Sequence, residues 1–472
     1  MRLTRDKLKT IILVPIVVLL LFFLTVGTDV VNRSRFAVLL TFFLNGIIWS
    51  ILLIKEINRR AFSISFVHWF FCLFFFFFAG ITEYFRDIFP RKGLFTDQLI
   101  LKANIILFAW TLLYCLGVHF ARLKSNKNKS PLVTKSISRK NASQNASYFG
   151  FRTFILFFLS IAILIWKIYS QGFVNLFISA RATSTFEISD NSSISVLVDK
   201  ITMAISFFAV IFSYDYWRKK GGSPLFFISS LISLFVSFFP LVISRNTAAG
   251  LYLGVALYIA FSFFGKGRKF FVFYLLAFVI AFPLLNSFRY GNITTVSIGE
   301  TISNLFQNFK NEWLASDYDA YSMLLTTIRY IEENGIVFGK QLIGVFLFWI
   351  PRSIWVNKPV ATGEYLGAFY RWDFINVSEP LVGEILINFG LIGIFVLGPF
   401  VGYLIEITDN SFWCNPPSGK SSSKIAFLYP FVVAYVLFVF RGALLSAFAY
   451  LCAVVFVWFI FSSQPFRLVK RR

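Results

Sequence analysis

Charge is scarce in this chain: only 14% of its residues are Asp, Glu, Lys or Arg, where a water-soluble globule runs near a quarter. That shortage excludes an ordinary soluble domain. Histidine is scarcer still, with His68 and His119 alone, and there are four cysteines, Cys72, Cys115, Cys414 and Cys452. These are too few and too scattered for a metal site, and neither metal nor cofactor is expected. Three of the cysteines lie in apolar blocks and Cys414 in a loop read as cytoplasmic, which argues against a disulfide framework. Acids are outnumbered too, 22 against 45 basic residues, for a net charge of +23. Such an excess can serve nucleic-acid binding, but here the basic residues sit in short loops between apolar blocks, as topology signals do. Nucleic acid is not an expected partner.

What the chain has in abundance is apolar surface. Hydrophobic residues make up 57%, 64 of them Phe, and the mean hydropathy is +0.73. They fall in blocks of roughly 17–25 residues, the length that crosses about 30 Å of hydrocarbon at 1.5 Å per residue. The run Phe74 to Phe78 reads as lipid-facing. No small-x-small cleavage site follows the block near Ile11 to Val26, so it reads as a first span rather than a signal peptide. The expected spans are 11–27, 36–54, 64–81, 98–119, 152–168, 196–215, 224–243, 247–264, 270–287, 381–405, 425–440 and 443–462. The expected fold is therefore all-α and polytopic, with about twelve transmembrane helices.

An even number of spans puts both termini on one side. Loops on that side carry most of the Lys and Arg, from Arg5 and Lys9 through Arg59, Arg60 and Arg122 to Arg268, Lys424 and Arg472. The opposite loops carry fewer, such as Arg33, Arg91 and Arg245. The positive-inside rule then places both termini in the cytoplasm of a bacterial inner membrane, with the bilayer as the first partner. Three regions follow: spans one to nine over 1–287, a long extracytoplasmic segment over 288–380, and spans ten to twelve with a basic tail over 381–472. In the long segment, Ser316-Asp317-Tyr318-Asp319 reads as a helix cap with an acidic first turn. Met323, Leu324, Ile328 and Ile331 then repeat at helical spacing up to Gly335. The run Leu342 to Ile350 is too short to span and reads as re-entrant or interfacial.

Mid-span ionisable residues of the kind transporters use are nearly lacking. His68 lies inside a span and reads as a core residue. The ionisable side chains crowd instead at the outer mouth: Arg245 after the seventh span, Arg289 after the ninth, then Arg352, Lys358 and Arg371. Carboxylates Glu364, Asp373, Glu379 and Glu384 share that stretch. Several guanidinium groups at a membrane boundary suit a multivalent anion at headgroup depth, because each fork matches phosphate oxygens bidentately. A lipid pyrophosphate is such an anion. As the leaving group of a glycosyl transfer its developing charge would be neutralised by Arg without a metal, while a carboxylate takes the acceptor's proton.

At these residues the chain resembles the oligosaccharide repeat-unit polymerases of O-antigen assembly (Wzy-type polymerases). The resemblance rests on Pro351-Arg352-Ser353-Ile354-Trp355-Val356-Asn357-Lys358-Pro359 and on Glu379-Pro380-Leu381-Val382-Gly383-Glu384 leading into Asn388-Phe389-Gly390-Leu391-Ile392-Gly393. It implies a membrane-embedded glycosyltransferase of the GT-C-like kind that joins undecaprenyl-pyrophosphate-linked repeat units into a surface polysaccharide such as lipopolysaccharide O-antigen. Donor and acceptor are both lipid-linked, and a flippase and a chain-length regulator are expected partners. Related ligases carry His eleven residues before a Gly in a comparable late helix. Here that position is Glu379, which disfavours a ligase and makes Glu379 the candidate base, with Glu384 second and Arg352 beside them. Pyrophosphate binding falls to Arg245, Arg289, Arg352, Lys358 and Arg371. The competing readings are a polyprenyl-phosphate-sugar glycosyltransferase and a lipid-linked-oligosaccharide flippase or transporter.

Overall fold

The computed structural model describes residues 5–26, 33–91, 93, 95–127, 139–177, 193–261, 267–281, 299, 313–314, 317–414 and 424–462. Among the described residues the regular structure is helical, with no strand. In chain order the main helices are α1 (Arg5–Val26), α2 (Phe36–Arg59), α3 (Ile64–Arg86), α4 (Asp97–Lys127), α5 (Arg139–Gln171), α6 (Ser193–Lys220) and α7 (Pro224–Ser237). Two helices with partly π-type winding follow, α8 (245–259) and α9 (267–281). The C-terminal half supplies α10 (Ala320–Asn334), α11 (Lys340–Phe346), α12 (Thr362–Phe369), α13 (Leu381–Trp413), α14 (Ile425–Arg441) and α15 (Leu444–Ser462).

Every expected span falls wholly or partly on helix. Seven of these helices are long and apolar enough to cross a bilayer, namely α2 to α6, α13 and α15. This is a membrane protein. Among the described residues, length and apolarity by themselves define seven crossings; the other expected spans fall on shorter described helices. The 14 residues of α7 rise about 21 Å, short of a hydrocarbon core of about 30 Å. The chain leaves that helix at Phe238, two residues before Pro240, which cannot continue it.

The Phe run does not face lipid. The whole apolar window of α3 is buried within the protein, and Phe74 to Phe78 are each at most 5% exposed. Cys72–Phe78 is wound as a π-helix. Phe70 stacks on Phe74 at 4.1 Å, and Phe74 packs against Trp313 at 6.0 Å. A helix apolar on every side belongs at the centre of a bundle, where apolar neighbours surround it all round. The lipid-facing role goes instead to peripheral side chains such as Leu20, Phe158, Ile165 and Phe459. His68 lies in the same helix, buried, its ring stacked 4.2 Å over Tyr114, as a core residue would be.

One seam is set by glycine. A Cβ on Gly117 of α4 would fall 1.8 Å from the Pro399 carbonyl oxygen of α13, and one on Gly402 would fall 2.2 Å from that of Tyr114. The two backbones are therefore in direct contact, the small-residue packing that membrane helices use in place of hydrophobic drive. Beside it, Arg60 and Arg59 of the α2 terminus meet Glu406 and Asp409 of α13, with Arg60 at 3.1 Å from both carboxylates. Arg122 approaches Glu406 at 3.3 Å.

At the other end of the bundle the segment 317–380 closes over the helices. Helix α10 starts at Ala320 and ends at Gly335, whose φ of 79° supplies the left-handed stop. It matches the helical spacing of Met323, Leu324, Ile328 and Ile331. Its first nine residues are buried. Helix α11 packs on α13 and α15, with Phe346 edge-on to Phe448 at 5.4 Å. Ile343, Trp349, Ile354 and Val356 around it are exposed.

Candidate functional site: an arginine-lined cavity

Three arginines, two from helix ends and one from a loop, converge where 317–319 crosses the bundle. Arg245 opens α8, directly after the extended residue Ser244. Arg441 is the last residue of α14 before Gly442 turns the chain into α15. Arg91 lies in the loop between α3 and α4. Arg245 binds Asp317 through both terminal nitrogens, at 2.7 and 2.5 Å. The Arg441 Nε donates to the Asp317 carbonyl oxygen at 2.8 Å, and its guanidinium lies 3.5 Å from Asp319. Arg91 donates from Nε to Asp319 at 2.9 Å and also ion-pairs with it through Nη2.

The alternation in Asp317-Tyr318-Asp319 thus holds guanidinium groups from distant parts of the chain, while Tyr318 points into the aromatic core 5.0 Å from Trp313. The expected capping role does not hold for this pair. Asp319 occupies the position before α10 but makes no side-chain cap hydrogen bond. Its carboxylate is spent on arginines. Burial pushes the Asp319 carboxyl up from the ordinary range, while Arg441 and Arg91 pull it down.

These groups border a cavity of about 430 Å³ lined by Arg91, Lys200, Arg245, Asp317 and Arg441 together with Ser244, Asn246, Asn376, Ser378 and Ser446. Its apolar lining includes Phe374, Tyr435, Phe438 and Tyr450. Lys200 lies 5.2 Å over the Tyr450 ring. The arginine side chains are only about a tenth exposed, so a bound anion would meet them with little screening. The lining carries four cations with Asp317, while Asp319 holds two of the arginines from outside the lining and Lys200 lies 3.6 Å from Asp199. The arrangement suits a multivalent anion with polar substituents.

The residues expected from sequence divide into three groups. Arg245 is in the cavity. Arg289 lies outside the described residues. Arg352, Lys358 and Arg371 do not line the cavity. Arg352 ties back to the Lys358 carbonyl oxygen at 2.9 Å, and the buried Lys358 ammonium donates to the carbonyls of Phe348 (2.5 Å) and Ile350 (2.9 Å). The nine-residue motif is a self-locked turn whose cations satisfy its own backbone. Burial and the neighbouring Arg352 push Lys358 down from the usual lysine range. Arg371 is exposed at the end of α12.

Glu379 is fully buried directly behind Ser378 of the cavity wall. One carboxylate oxygen accepts from Thr327 Oγ1 at 2.8 Å and the other has no partner. Burial first, then Glu384 and Asp319, push its carboxyl well above the ordinary range. Glu384, in the first turn of α13, accepts from Thr362 Oγ1 at 2.5 Å. Glu364 is partly buried in the first turn of α12 and Asp373 is exposed beyond its end. Among the described residues no cluster of His, Cys, Asp and Glu could hold a metal ion.

Sequence reasoning missed Arg91 and Arg441. Arg91 was masked by Arg86 and Lys92 in a loop counted for topology. Arg441 had a legible signal: it interrupts an otherwise apolar stretch over 425–462, at the turn between the last two helices. Fold and site together define a helical membrane protein with an arginine-lined polar cavity at one end of its bundle. No family model, curated protein or solved structure matches the chain.

Proposed function

We propose that this protein is a membrane glycosyltransferase that polymerises undecaprenyl-pyrophosphate-linked repeat units on the outer face of a bacterial inner membrane. The single observation that carries the reading is the convergence of Arg91, Arg245 and Arg441 on one cavity at the ends of bundle helices. The excess of Lys and Arg in the loops at the opposite end makes the cavity end the outer one. With the shorter helices counted as crossings, the twelve-span topology and cytoplasmic termini follow.

In the reaction, the bond between the donor's anomeric carbon and the carrier's pyrophosphate oxygen breaks, and its electron pair leaves with the pyrophosphate. A new bond forms from that carbon to a hydroxyl of the acceptor repeat unit, whose proton passes to a carboxylate. The guanidinium groups neutralise the charge that develops on the departing pyrophosphate. The cavity lining sets Arg91, Lys200, Arg245 and Arg441 beside Asp317, a predominantly cationic surface that suits a diphosphate diester. Glu379 is the proton acceptor in this scheme. Its carboxyl is raised by burial and must be ionised to accept the proton, so turnover should rise with pH as it ionises.

The test is chain length. Alanine at Arg91, Arg245 or Arg441 should abolish long-chain polysaccharide in cells that retain normal levels of the protein. Lysine at the same positions should restore it only in part, since it keeps the charge but loses the fork. Wild-type chain lengths in all three alanine variants would defeat the reading.

A further inference from the structure

We infer that the aromatic strip from Tyr370 to Phe374, at the rim of the arginine cavity, holds the sugar rings of a glycan whose anionic end lies in the cavity. This deepens the reading above and rests on it. The strip begins where the arginines end. Arg91, paired below with Asp319, lies with its guanidinium carbon 5.5 Å from the centre of the Trp372 ring. Two residues on, Phe374 lines the cavity and is 58% exposed. On the other side, Tyr370 and Trp372 stand nearly parallel, 6.2 Å between centroids and 22° between planes.

Polar groups border these faces. Tyr370 Oη donates to Glu333 at 3.1 Å, Glu333 accepts from Arg329 at 2.7 Å, and Arg329 lies 5.4 Å over the Tyr370 ring. Arg371 and Asp373 alternate with the aromatic residues and are exposed. A pyranose has one face of C–H groups and an equator of hydroxyls. Flat rings with negative faces match the first, and planar carboxylate and guanidinium groups match the second.

The backbone fixes the arrangement. Arg371 N–H donates to the Ala368 carbonyl at 3.2 Å and Trp372 N–H to that of Gly367 at 2.9 Å. That pair of bonds ends α12 in a Schellman motif, with Arg371 in its left-handed position at φ 55°. The turn is what sets Tyr370 beside Trp372.

The experiment uses full-length protein in nanodiscs. The probe is the free repeat-unit oligosaccharide, released by mild acid from the cells' own lipid-linked pool. Trp372→Ala and Tyr370→Ala should each weaken its binding about tenfold and shorten the polysaccharide in cells. Trp372→Phe should retain most of the affinity. Arg245→Ala should bind the free oligosaccharide as wild type does, because the carrier phosphate is absent from the probe. Should Trp372→Ala fail to fold, Tyr370→Ala decides.

Unchanged oligosaccharide binding in both aromatic variants, with polymer lost in Arg245→Ala, would overturn the strip and leave the proposed function standing. Unchanged polymer in Arg91→Ala, Arg245→Ala and Arg441→Ala alike, with binding still dependent on Trp372, would overturn the proposed function and leave a glycan surface. Detachment of the strip from lipid, seen as lower stability in nanodiscs with unaltered sugar binding, would assign it to the bilayer and overturn the inference.

Discussion

Glu379 illustrates how much one side chain can demand of its neighbours. Its carboxyl fits only because residue 383 has no side chain: a Cβ there would lie 1.7 Å from the Glu379 oxygen that accepts from Thr327. Gly383→Ala should therefore displace the carboxyl and cost about 1 kcal/mol, the loss of a buried hydrogen bond outweighing the helix-propensity gain. Thermal unfolding in detergent checks this, and a stabilised variant would count against the placement. The raised carboxyl also fixes a pH dependence. A group protonated in the fold and ionised in the unfolded chain contributes its full share of stability below the ordinary carboxylate range. That share is lost as pH rises towards the folded value. Glu379→Gln, which cannot ionise, should unfold at nearly the wild-type temperature in acid and at a higher temperature than wild type in mild alkali. At this scale the sequence revealed Arg245, because a cation directly after an apolar block is conspicuous. It hid Arg91 among other loop cations, and it made Asp319 look like a cap because capping and ion pairing use the same residue type at the same place.

Among the elements, α10 was legible to its last residue, since helical spacing followed by glycine is a local signal that tertiary packing did not override. The short helices were not. Hydropathy counts apolar residues and cannot register that α7 stops after 14 residues. Nor can it separate the bilayer from a protein interior, which is why the Phe run of α3 pointed the wrong way: both surroundings are apolar, and only the neighbours decide. The end of α12 carries its own expectation. Arg371→Gly relieves a left-handed arginine and should raise stability by about 0.5–1 kcal/mol, after the entropy that glycine adds to the unfolded chain. If the protein gains thermal stability while the polysaccharide shortens, the guanidinium serves function rather than the turn. A loss of stability would show that the turn does not carry the strain assigned to it.

For the whole molecule, two separate devices tie the halves together. The glycine seam joins α4 to α13, and the Arg59–Arg60–Arg122 group clasps Glu406 and Asp409 beside it. In that clasp Arg60 is 4% exposed and both of those acids are fully buried. Arg60→Ala would strand two carboxylates without their buried partner, and a loss of about 3–5 kcal/mol is expected. Size-exclusion profiles of the variant should show aggregated rather than monodisperse protein. Arg60→Lys should recover only part of the loss. The membrane class and the basic bias of alternate loops were readable from composition, because both are sums over many residues. The clasp was not, because its halves lie about 350 residues apart.

The same distances bear on how the cavity comes into being. Arg91 stands 228 residues before its carboxylate and Arg245 72 before its own, whereas Arg441 follows 124 residues after the backbone it grips. During synthesis, Arg91 and Arg245 therefore leave the ribosome before Asp317 and Asp319, and Arg441 follows only with the last two helices. The cavity cannot be complete until those helices have been made, so a chain cut before Arg441 should lack it.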